Sequence, residues 1–143
     1  MCELTRIAAP GGVAPAAQYT HDVLGTGRFV AVSGQLALDG DGGLVGESDP
    51  AAQARQVFEN LRRCLTAAGA TSHAFRAVGG ASFYDVVKLT FSVTDMAHMP
   101  AIRAARAEHI PDDRLPAASA VQVAALVRPE FLMGIEAFAV VSP

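Results

Sequence analysis

Charge is scarce in this chain. Of 143 residues only 17% are Asp, Glu, Lys or Arg, and 11 basic against 14 acidic side chains leave a net charge of −3. No cluster of Lys and Arg builds a basic stripe, so the footprint of a phosphate-backbone binder is missing and nucleic acid is not an expected partner. Cysteine is sparse too: Cys2, at a terminus, and Cys64, in a predicted helix, have neither the count nor the spacing of a disulfide framework or zinc site. Such thiols suit a reducing cytoplasm. Although 51% of residues are hydrophobic, no apolar run approaches the ~20 residues that span a bilayer, and no membrane partner is expected. The opening "MCELTRIAAPGG" has no apolar signal core and carries an acid as well as a base, so no export segment is expected. His73, His98 and His109 lack metal-ligand spacing with Asp, Glu or Cys and are read as surface residues. "DGDGGLVGE" resembles part of a calcium loop, but it lacks the third oxygen donor and its glycines suit a hairpin turn. No phosphate cradle is present, and neither metal nor cofactor is expected.

What is there fits one domain over 1–143, long enough to bury a real core. "RFVAVSGQLAL" (28–38) alternates, with Val30, Val32, Leu36 and Leu38 on one face and Phe29, Ala31, Ser33, Gln35 and Ala37 on the other, which predicts a strand. It follows a candidate strand at about 18–24 and the turn "GTG", so the two read as a meander. In "SDPAAQARQVFENLRRCLTAAGA", Asp49 is placed as an N-cap, Pro50 opens the helix, Ala54, Val57, Phe58, Leu61 and Leu65 fall at helical spacing, and Gly69 is a stop. Residues 71–82 read as a surface-loop insertion. "YDVVKLTFSVTD" alternates as a strand, a helix over 97–109 tolerates Pro100 in its first turn, and strands at 117–126 and 131–141 close the chain. This order predicts an α+β fold, helices packed on one face of a mixed sheet.

Strand parity assigns the other face to Ala31, Ser33 and Gln35, to Ala118, Ala120, Gln122 and Ala124, and to Gly134, Glu136, Phe138 and Val140. A face so short of charge is expected to be covered by another subunit, with a pocket in the interface. The motifs "VSGQLAL", "QARQVFENLRRCLTAAGA", "DVVKLTFSVTDM", "PAASAVQVAAL" and "GIEAFAVV" stand in the order of the Rid (YjgF/YER057c/UK114) family, which the chain resembles over nearly its whole length. That resemblance implies a chorismate-mutase-like fold, two helices on one face of the sheet, assembled as a homotrimer with three inter-subunit clefts that take a small-molecule ligand. The family's best-known members are reactive-intermediate enamine/imine deaminases.

Carried over residue by residue, Tyr19 in "PAAQYTHDV", Ser33 in "VSGQ" and Glu136 in "GIEAFAV" match the family's cleft residues. His21 stands where Gln is frequent, and Ala120 where a cysteine is common. The arginine of the family's P-x-R-S motif is Ala118 here. In the deaminases that guanidinium grips the substrate carboxylate through two parallel hydrogen bonds. Arg114, four residues upstream or about 13 Å along an extended strand, does not reach; Arg128 belongs to the far hairpin, and neither His21 nor Lys88 is a convincing replacement.

The expected activity is therefore not standard deamination of amino-acid-derived imines. It is a hydrolase-type or otherwise divergent reaction on a substrate without an α-carboxylate, in a dedicated biosynthetic or catabolic pathway, with Glu136 activating water and Tyr19, Ser33, His21, Ala118 and Ala120 as the ligand-binding positions. The alternatives are a non-catalytic binding or regulatory trimer and an endoribonuclease, which the acidic balance suits least.

Overall fold

The structure is a computed structural model and describes residues 3–70 and 81–142. Among the described residues the strands and α-helices run β1 (Leu4–Ile7), β2 (Asp22–Gly25), β3 (Arg28–Gln35), α1 (Pro50–Ala70), β4 (Val86–Val93), α2 (Met99–Ala107), β5 (Ala117–Gln122) and β6 (Met133–Val141). β1 and β2 form a two-stranded antiparallel sheet, while the main sheet has the order β3-β6-β4-β5. In it β4 and β5 are parallel and the other pairs antiparallel, so the sheet is mixed. Two β-α-β crossovers, through α1 and then α2, carry the chain across it. Both helices lie on one face of this α+β fold.

α1 forms where its sequence signals place it. The Asp49 carboxylate accepts from the Ala52 amide at 3.2 Å, and Pro50 occupies the first position, where no amide is needed. Val57, Phe58, Leu61 and Leu65 come round to the same side and are buried against Leu89, Ile135 and Ala137 of the sheet. Gln53 is fully buried in this interface: its amide donates to the carbonyls of Gly46 and Glu130, and its oxygen accepts from the Leu132 amide, each at 3.0 Å. It tethers both connecting loops to the first turns of α1. Gly46 accommodates this with φ +82°; a Cβ there would come within 2.9 Å of the Gln53 backbone nitrogen. α2 is shorter than the predicted 97–109 and is preceded by the 3-10 turn Met96–His98, which Asp95 caps through the Ala97 amide at 2.8 Å.

Several expectations are corrected. The candidate strand at 18–24 is β2, but it pairs with β1 rather than β3, so there is no meander. At Gly27, φ is +152° and a Cβ would collide with the Val141 carbonyl oxygen, so the GTG turn swings β3 away to β6. A bulge between Val32 and Gln35 reverses the alternation of β3. Gln35 falls in register with buried Ile135 and Ala37 is fully buried, whereas Leu36 crosses to the Glu136 side. β5 ends at Gln122, so Ala124 is not in it, and its register puts Ala118 beside Leu89 and Ala120 beside Phe91. Both alanines thus share the helix-side face and not that of Glu136. His109 is not a surface residue: its ring stacks on Phe58 (centroids 5.8 Å apart, planes at 10°) and packs against Phe83 at 4.9 Å. His98 is half-buried. The expected loop over 71–82 and His73 lie outside the described residues, except that Ala81 and Ser82 open a 3-10 turn to Asp85. The turn after Leu38 is a local hairpin as its glycines implied. The Asp39 carboxylate accepts from the amides of Asp41 and Gly43 at 2.9 and 2.8 Å, and Leu38 bridges Leu44.

Candidate functional site

Two regions hold the candidate residues. The first is a cavity of about 480 Å³ between the helix-side face of β5 and one stripe of α2. Ala118 and Ala120 form its strand wall and Phe91 its base, and their small or flat side chains leave the volume open. Tyr19 closes one side, held there because the Thr20 amide donates to the Pro116 carbonyl at 3.1 Å, just before β5 begins. His21 stands behind Tyr19 in an edge-to-face contact, ring centroids 5.2 Å apart. Its Nε2 donates to the Ala14 carbonyl at 2.8 Å, which makes His21 a brace for the tyrosine.

The helix wall carries charge that sequence reasoning missed. Met99, Arg103 and Arg106 line the same cavity, at the i, i+4, i+7 spacing that stacks side chains along one helical stripe. Arg106 is only 6% exposed. Its Nη1 donates to the Gln18 carbonyl at 3.0 Å and its Nη2 to the Gln18 side-chain oxygen at 3.1 Å, while its buried Nε has no acceptor. Burial lowers the Arg106 pKa; Asp112 opposes the shift and Arg103 adds to it. The available signal was the spacing of Arg103 and Arg106 from Met99, but it acquires meaning only once β5 is known to present two alanines opposite them.

Ser33 and Glu136 lie elsewhere. Glu136 pairs across the ladder with Thr90 on the outward face of the sheet. Together with Gly34, Leu36 and Ser92 it borders a shallow hollow of about 270 Å³, and Ser33 sits exposed at the adjoining β3 bulge. On this face the Lys88 ammonium donates to the Ser119 hydroxyl at 2.9 Å, linking β4 to the β5 edge. Among the described residues two aromatics stand exposed on this face: Phe29 is 67% exposed and its ring lies 5.5 Å from that of Phe138. Thus Tyr19, Ala118 and Ala120 come together with His21 behind them, Ser33 and Glu136 form a separate group, and a single copy does not unite the two. Among the described residues no three His, Cys, Asp or Glu side chains are grouped to hold a metal ion, and no helix is long and apolar enough to cross a membrane.

The model of the family described as Endoribonuclease L-PSP matches residues 9–141. Among solved structures, YyfB of Yersinia pestis, described as a protein of unknown function of the conserved Rid family, is 32% identical and superposes with a TM-score of 0.77. That alignment covers 94% of this chain and 97% of YyfB. RidA from an Antarctic Psychrobacter is 32% identical with a TM-score of 0.64, over 93% of this chain and 94% of its own. A YjgF/YER057c/UK114 family member from Mycobacterium tuberculosis is 28% identical with a TM-score of 0.59, over 96% and 99% of the two chains. These matches share the fold over nearly the whole length of each chain. The chain belongs to the Rid family.

Proposed function

We propose that this chain is a hydrolase-type Rid enzyme, assembled as a homotrimer, that acts on an imine or enamine lacking an α-carboxylate. The observation that carries the reading is the division of the site. Tyr19 and Ala118 face a cavity on one side of β5, while Ser33 and Glu136 stand on the outward face of the sheet with exposed Phe29 and Phe138. A neighbouring copy docked along the β5 edge supplies the missing half to each cleft, and the exposed Phe29, Phe138 and Val121 supply apolar area for the contact.

In the assembled cleft Glu136 takes a proton from water as the water oxygen attacks the C=N carbon. It then returns the proton to nitrogen, and the carbinolamine collapses as its hydroxyl proton passes to the amine and the C–N bond breaks, releasing a carbonyl compound and ammonia. Ser33 and Tyr19 orient the ligand. Ala118 supplies no guanidinium where the family's deaminases hold an α-carboxylate, and that sets the substrate apart from imino acids. The free thiol of Cys64 fits a cytoplasmic location, which belongs to the same reading.

The test is Glu136→Gln, assayed for binding and turnover on a panel of imines without an α-carboxylate. Retained binding with lost turnover supports the reading, and turnover that survives removes Glu136 from the mechanism. Ligand binding without turnover in the wild type favours a binding or regulatory trimer instead. Nuclease-free RNA cleavage abolished by Glu136→Gln favours the activity named in the family description, against which the net charge of −3 argues.

A further inference from the structure

We propose that Arg103 and Arg106 form an anion-binding wall in the Tyr19–Ala118 cavity, so that the ligand carries a carboxylate or phosphate group away from its reacting carbon. The inference deepens the proposed function and rests on the reading of this cavity as the ligand cleft.

Arg103 and Arg106, three residues apart on α2, line the same space, and no carboxylate of the described residues forms an ion pair with either. Arg106 is more than nine-tenths buried, and a buried cation without a counter-charge is costly. Asp112 influences it electrostatically but does not pair with it, and Gln18 offers only neutral oxygens. The Nε is left without any acceptor, an uncommon condition for a buried donor. A purely structural role, with Arg106 as a strut that holds the segment before Tyr19 through Gln18, accounts for the two terminal nitrogens. It does not account for Arg103, exposed on the same stripe and lining the same cavity.

What the cavity lacks is negative charge, and its volume of about 480 Å³ lies in the range of small-molecule sites. Carboxylate and phosphate both match a guanidinium fork. Because the positive charge comes from α2 and position 118 of the strand offers only a methyl group, the anion is held by the helix wall. It is thereby separated from the place that an α-carboxylate takes beside β5.

Calorimetric titration of the full chain with succinate and with inorganic phosphate, each against sodium chloride of equal ionic strength, tests this and distinguishes the two anion types. Saturable binding of one of them is expected, weakened about tenfold or more by Arg103→Ala and by Arg106→Lys, which keeps the charge but loses the fork. Arg103 is exposed, so its alanine variant decides the matter even where the Arg106 variant does not fold. No saturable binding in the wild type, or unchanged affinity in Arg103→Ala, overturns the inference. The readout is binding and not turnover. A protein that binds succinate through Arg103 yet hydrolyses nothing refutes the proposed function alone, and an active hydrolase indifferent to both anions refutes the anion wall alone.

Discussion

Phe29→Ala removes the most exposed aromatic side chain on the outward sheet face and should act on assembly, leaving the fold of the protomer intact. The ring is 67% exposed and lies outside the core, touching Phe138 across the β3–β6 ladder. Full burial of a phenylalanine stabilises by roughly 1.5–3 kcal/mol, so covering the exposed two-thirds against a neighbour contributes about 1–2 kcal/mol at each contact. Three contacts in a closed trimer make this about 3–6 kcal/mol, or roughly a hundredfold to ten-thousandfold in the trimer dissociation constant at about 1.4 kcal/mol per tenfold. Sedimentation velocity over a dilution series reads that shift directly, and circular dichroism should remain that of the wild type. A wild type that sediments as a monomer at micromolar concentration, or a trimer whose dissociation ignores the substitution, refutes the reasoning.

Two further predictions concern the protomer. Gln53→Leu keeps side-chain volume but strands the Gly46 and Glu130 carbonyls and the Leu132 amide. At about 1 kcal/mol or more for each lost partner, thermal unfolding at fixed protein concentration should fall by about 10 °C, and a drop of less than about 3 °C would show that water replaces Gln53. Burial against Phe58 and Phe83 pushes the His109 pKa below its ordinary 6.5, with Glu108 and then Glu59 opposing. The unfolded chain therefore binds the proton first as pH falls, so this contribution to stability is intact above pH 6.5 and is lost as pH falls through the lowered folded value. Denaturant titrations from about pH 7 to about pH 5 should show a shallower fall for His109→Phe than for the wild type; equal slopes contradict the assignment.

The parts legible in the sequence were those with a local cause. α1 carried its own cap, proline and apolar stripe, and β4 its own alternation. Parity in the short strands was not legible. The β3 bulge at Ser33 and Gly34 is set by pairing with β6, a partner about a hundred residues later in the chain, and nothing within "VSGQLAL" announces it. In "AASAVQ" most side chains are too small to reveal which face is buried; the parallel register with β4 decides it, and it moved Ala118 and Ala120 to the helix side. Tyr19, Ser33, Ala118 and Glu136 were found through the family motifs, but their division into two groups follows from that register. The α2 arginines were passed over because a charged residue on a short helix normally faces water, and burial of Arg106 depends on Gln18, eighty-eight residues away.

The central claim is that alanine at position 118 removes this chain from the amino-acid-derived imine deaminases. It is tested most directly by the rate at which the purified wild type and Ala118→Arg hydrolyse an imino acid generated in situ by an amino-acid oxidase. The account predicts a wild-type rate barely above the uncatalysed reaction and a gain in Ala118→Arg, since the cavity has room for the side chain and Tyr19, Ser33 and Glu136 are still present. Rapid hydrolysis by the wild type that disappears in Glu136→Gln would contradict it.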